Sequence, residues 1–193
     1  MRAAQLIDQR RYRRWVESSH AINKLAPGID VLVQGLGKLD VRLVAEDRAY
    51  AAMSADERTE HCLSDGLTQR ITLSVLWTFG AYEVVRTLAE KAGLTPSFMP
   101  SSLRNSVVLI RREYERVRVP LAKFKRAYKW DADRGSVVPA WSDEHGISWN
   151  VTGSTYVSRR ELSDRFLALL DAVRVHREVL QARRARYRTT GAK

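Results

Sequence analysis

Between Leu67 and Ala92 the residues Leu73, Trp77, Gly80, Ala81, Val84 and Leu88 recur at steps of three and four. That spacing places them on one side of an α-helix, whose 3.6-residue turn stacks every third and fourth side chain into a stripe. Gly93 and Pro96 close the segment. A helix of this length cannot cover its own apolar stripe, so the chain must supply further elements to pack against it. Gly80 lies inside the stripe beside the bulky Trp77. A mid-helix glycine costs roughly 0.5 to 1 kcal/mol relative to alanine, and here it reads as a packing notch for a neighbouring helix rather than a ligand notch.

The same period recurs along the chain. Residues 2 to 25 read as an arginine-dense helix ended by "APG" at 26 to 28. From Ile29 to Val44 two patterns compete: Ile29, Leu32, Val33 and Leu36 have helical spacing, while Leu39, Val41 and Leu43 alternate as in a strand. Helix is the favoured assignment there. Ser54 and Glu57 have capping-box spacing and predict a short helix to about Leu63. A helix from Ser102 to about Val119 follows, with Leu103, Val107, Ile110, Tyr114 and Val117 in register and an end before Pro120. From 136 to about 157 the residues change to Val, Ile, Trp, Thr and Tyr broken by Pro139, Gly146 and Gly153, which predicts one or two short hairpins. Ser158 and Glu161 form a second capping box that opens the last helix, striped by Leu162, Phe166, Leu169, Val173, His176 and Leu180. The expected architecture is a mainly α, single-domain helical bundle over residues 1 to 193. It carries a small β-hairpin insertion before its long C-terminal helix.

Charge is the second constraint. The 193 residues carry 33 Lys+Arg against 22 Asp+Glu, a net +11. That excess favours a polyanionic partner, either nucleic acid or an acidic protein. The single Cys62 allows no internal disulfide. The N-terminus turns charged after Ile7, and the run from Ile71 to Tyr82 is far shorter than the ~20 residues of a membrane span. A cytoplasmic protein without a membrane span is expected, and homo-oligomerisation is compatible with the exposed stripes.

Two segments concentrate the binding signal. In "LAKFKRAYKWDADRG", Lys123, Lys125, Arg126, Lys129 and Arg134 are interleaved with Phe124, Tyr128 and Trp130. Positive charge tracking a backbone and rings accepting bases is the combination that holds single-stranded nucleic acid. From Arg174 to Lys193, seven basic residues including Arg174, Arg177, Arg183 and Arg184 face one acid, Glu178, so more than half of the +11 lies in a basic helix or tail starting at about 174. Such an arm suits phosphate contact without sequence readout.

Signals for catalysis are weak. His20, His61, His145 and His176 are scattered, with no His or Cys partner at metal-ligand spacing, and no phosphate loop or dinucleotide fingerprint is present, so no metal and no cofactor is expected. One alternative rests on "RRWVESSH". Helical-bundle ribonucleases and toxins of the HEPN class place a histidine four to six residues after an arginine, the spacing of Arg14 and His20. In that reading arginine stabilises phosphate charge and histidine moves the 2′-hydroxyl proton without metal. Arginine is so frequent in this chain that the spacing assigns no family, and Trp15 stands where a polar residue usually follows the arginine. A third reading is an interaction subunit using the stripes of the last two long helices. The primary expectation is a non-catalytic nucleic-acid-binding protein that works by electrostatics and aromatic stacking.

Overall fold

The computed structural model describes residues 2–63, 65–95 and 98–190, with side chains over 9–63, 65–95 and 98–186. Pro96, Lys193 and the side chain of Arg188 lie outside the described residues. Six helices and one three-stranded antiparallel sheet follow in the order α1 (Arg2–Ser19), α2 (Ile29–Ala51), α3 (Ala55–Leu63), α4 (Gly66–Leu94), α5 (Ser101–Lys123), β1 (Val138–Ser142), β2 (Gly146–Asn150), β3 (Tyr156–Ser158) and α6 (Arg159–Thr190). The mainly α reading holds. None of the helices is long and apolar enough to cross a membrane.

Both capping boxes form. The Ser54 N–H donates to Glu57 at 2.7 Å and the Glu57 N–H to Ser54 Oγ at 3.3 Å. At the start of α6 the Ser158 N–H reaches Glu161 at 3.4 Å, and the Glu161 N–H reaches Ser158 Oγ at 3.3 Å. Two boundaries differ from expectation. Helix α1 stops at Ser19, because Ser19 Oγ donates back to Val16 O at 2.7 Å and the chain turns to bury Ile22 completely. Helix α5 continues through Pro120 to Lys123, since the buried Pro120 ring and the partly buried Leu121 hold the last turn against the core. The conflicted stretch from Ile29 is helical throughout α2.

The core is a relay of rings. Trp15 of α1 meets Phe166 of α6 edge-on at 5.5 Å, Phe166 meets Tyr114 of α5 at 6.3 Å, and Tyr114 lies 6.2 Å from Trp77 of α4. Trp77 Nε1 donates to Leu36 O at 2.9 Å, and a Cβ placed on Gly80 would stand 3.0 Å from Leu36 Cδ2. Gly80 is therefore the notch into which α2 fits. A tighter approach lies on α2 itself, where a Cβ on Gly37 would sit 2.5 Å from Trp15 Cβ and Cγ. Trp15 is fully buried and cannot swing aside. Gly37→Ala is expected to cost about 1 to 3 kcal/mol by overpacking, despite alanine's better helix propensity. A chemical-denaturation midpoint at or above that of the unchanged protein would refute this account of the α1–α2 contact.

Charge is also built into the interior. Asp40 of α2 is fully buried and accepts four hydrogen bonds: from Arg159 at 2.9 Å and Ser163 at 2.6 Å on one oxygen, and from Arg11 at 2.6 Å and Trp15 Nε1 at 3.0 Å on the other. Burial alone would raise its pKa, but the Arg11 and Arg159 guanidinium groups outweigh it and hold the carboxyl below its ordinary value. Asp47, two turns on, takes the other Arg159 nitrogen at 3.1 Å, yet its Oδ1 has no hydrogen-bond partner among the described residues. Burial dominates there and pushes the carboxyl up. Gly146, at φ +69°, opens β2 against Asp47 with no room for a side chain. This network joins α1, α2 and α6 and brings the start of the sheet onto α2.

Candidate nucleic-acid interface

The register of the sheet decides which residues it offers outward. Ala140, Ser148 and Ser158 are cross-strand partners, as are Asn150 and Tyr156. Alternation places these on one face and Trp141, Ile147, Trp149 and Val157 on the other. Ile147 and Trp149 are buried against the helices, so the face bearing Tyr156 looks out. The loop from Phe124 to Val137 joins the end of α5 to this sheet.

Its two halves behave differently. The second half is clamped. Arg116 of α5 donates to both Asp133 oxygens at 2.7 and 2.8 Å and lies 4.1 Å over the Trp130 ring, while the Arg134 N–H bonds to Val151 O at 2.8 Å. The first half projects. Buried Ala127 pins it, and on either side Phe124 is 82 % and Tyr128 91 % exposed. Phe124 and Lys129 hold left-handed backbone at φ 50° and 81°, a conformation that costs a non-glycine residue roughly 1 to 2 kcal/mol. Arg126 pairs with Asp131 at 3.5 Å, whereas Lys123, Lys125 and Lys129 form no ion pair among the described residues. Two unburied rings among unneutralised lysines are thus fixed on a strained turn.

One cleft adjoins this loop, and a second shares Tyr156 and Glu161 with it. The first, of about 160 Å³, is walled by Trp130, Arg116, Arg165, Glu113, Tyr156 and Glu161. The other, about 330 Å³, lies over the outer sheet face between Tyr156 and His145, floored by Ser148 and Ser158. Arg165 bonds Glu113 at 2.5 Å, and that hydrogen bond raises its pKa. Arg116, Tyr156, Glu161 and Arg165 were not apparent as site residues in the sequence. Strand alternation around Tyr156 was the available signal.

The C-terminal basic group lies elsewhere. Arg174 and Arg177 line an open cleft of about 560 Å³ with Glu17, His20, Lys24 and Glu178, between the end of α1 and α6. Arg174 pairs with Glu178 at 2.9 Å, and Arg177 lies 4.5 Å over Phe98. Arg183 and Arg184 are exposed farther along α6. Tyr114 OH donates to Leu162 O, while Arg177, farther along α6, lies over Phe98 just before α5, so the two helices run in opposite directions. At ~1.5 Å per helical residue, Lys123 and Arg177 stand roughly 35 Å apart along the bundle. The structure does not bring the two basic groups together.

His20 lines this cleft between α1 and α6, but Arg14 does not. Arg14 donates to Asp171 at 3.1 and 2.5 Å, with Ser18 on the other Asp171 oxygen. The stripes of α5 and α6 are used internally, with Val107, Tyr114, Val117, Leu162, Phe166 and Val173 all buried. Comparison with protein-family models, curated proteins and solved structures finds no match to this chain.

Proposed function

We infer that the protein binds nucleic acid without catalysis, through the loop from Lys123 to Arg134. The observation that carries this reading is the exposure of Phe124 and Tyr128. Aromatic rings contribute most to a fold when buried. Here the chain holds two of them in water, beside three free lysines, at the cost of left-handed backbone. Lysines neutralise phosphates and release counterions, while ring faces accept bases. An acidic protein would use the lysines but gives the rings no comparable partner. The arginines of α6, from Arg174 to Arg184, form a separate phosphate-contacting arm at the other end of the bundle.

Salt dependence tests the reading. If Lys123, Lys125, Lys129 and Arg134 each neutralise a phosphate, the affinity for a single-stranded oligonucleotide should fall roughly fifty-fold between 50 and 200 mM salt. Fluorescence anisotropy with a labelled oligonucleotide measures this directly. Affinity unchanged across that range, or no binding at 50 mM, removes the proposal.

A further inference from the structure

We propose that the cleft beside the loop and its neighbour over the sheet are adjacent base seats, and that the ligand is therefore a single strand with its bases turned out. This deepens the nucleic-acid reading and rests on it. Tyr156 and Glu161 line both clefts. Tyr156 is 53 % exposed at the end of β3, so its ring is open to a ligand. Trp130 walls the first cleft as well, while the Trp141 ring turns to the opposite sheet face, edge-on to Tyr50 at 4.7 Å and beneath Arg70. Trp130 and Tyr156 are thus the rings that line the first cleft, Tyr156 serves the second, and the exposed Phe124 and Tyr128 belong to the loop that carries Trp130.

A concave seat with an aromatic wall can take an unstacked base, whereas a duplex keeps its bases stacked and presents phosphates. Loop lysines engage either form, but only a single strand fills the clefts. Glu161 gives the seats a chemical preference. One of its oxygens accepts the Ser158 N–H at 3.4 Å in the capping box, and the other has no hydrogen bond among the described residues. A carboxylate oxygen so placed accepts from an exocyclic amino group, such as cytosine N4 or adenine N6, whereas the one donor of thymine, N3–H, is flanked by two carbonyl oxygens that repel a carboxylate. His145, Ser148 and Ser158 border the second seat with further polar groups. The preferred strand is accordingly rich in amino-bearing bases.

The test compares labelled oligodeoxycytidine, oligothymidine and a duplex of equal length, at 50 mM salt, against the unchanged protein and two variants. The unchanged protein should bind oligodeoxycytidine more tightly than either other probe. Tyr156→Ser should weaken single-strand binding about tenfold or more while leaving duplex binding unchanged. Glu161→Gln keeps the capping box, because glutamine serves at that position, and should abolish the preference for cytidine over thymidine. Equal losses for single strand and duplex in Tyr156→Ser, or no loss in either, would overturn the base seats while salt-dependent binding through the lysines still stood. Salt-independent or absent binding to every probe would instead remove the underlying nucleic-acid reading.

Discussion

Asp40→Ala should lower the stability of the fold by about 3 to 5 kcal/mol, the range for breaking a buried ion pair from one side. The carboxylate has no exposed surface, and its two oxygens collect Arg159, Ser163, Arg11 and Trp15. Removing it leaves the fully buried Arg159 with Asp47 as its remaining acid and deprives the Trp15 indole N–H of its acceptor. Each of those groups then carries a desolvation cost without compensation. Because domains have only ~5 to 15 kcal/mol in total, the variant stands close to unfolding. The same physics predicts partial rescue. Asp40→Ala with Asp47→Asn and Arg159→Met removes the buried acids and base together, so the triple variant should be more stable than Asp40→Ala alone. Urea denaturation of the set measures this. A single-variant loss below about 1 kcal/mol would show that the network contributes little to the fold, and a triple variant weaker than the single would show that the loss does not come from stranded charge.

Phe124→Gly is expected to move stability and binding in opposite directions. The phenyl ring is 82 % exposed, so its removal gives up little burial, and glycine accepts φ 50° without the Cβ clash. Stability should rise by about 1 kcal/mol. Affinity for a single strand should fall by about tenfold from one lost stacking face, and adding Tyr128→Ala should deepen the fall by a similar factor. A purely structural role for Phe124 predicts the reverse, lower stability with unchanged affinity. Thermal melting and anisotropy on the same preparations distinguish the two.

These two sites differ in how they could be read from the chain. Phe124, Tyr128 and their lysines are adjacent in sequence, so their composition announced a surface. What composition left open was which rings are buried. Trp130 is held by Arg116 and Asp133 anchors the loop, while Phe124 and Tyr128 stay in water. The Asp40 network could not be found from local pattern. Asp40 and Arg42 alternate with Leu39, Val41 and Leu43 in α2, which is why Ile29 to Val44 gave mixed helix and strand signals. Their partners are remote, Arg11 at 29 residues and Arg159 at 119. Local periodicity also could not say that Tyr156 would close two clefts, since that depends on where the sheet lands against α5 and α6.

By itself the sequence determined the helices, the two capping boxes and the place of the sheet, because hydrophobic period, capping and turn chemistry act over a few neighbouring residues. Tertiary structure alone decided which charges are interior, which aromatic rings face water, and that the loop lysines and the α6 arginines sit at opposite ends of the bundle. Those outcomes depend on desolvation and close packing between segments far apart in the chain, and both are settled only when the helices meet.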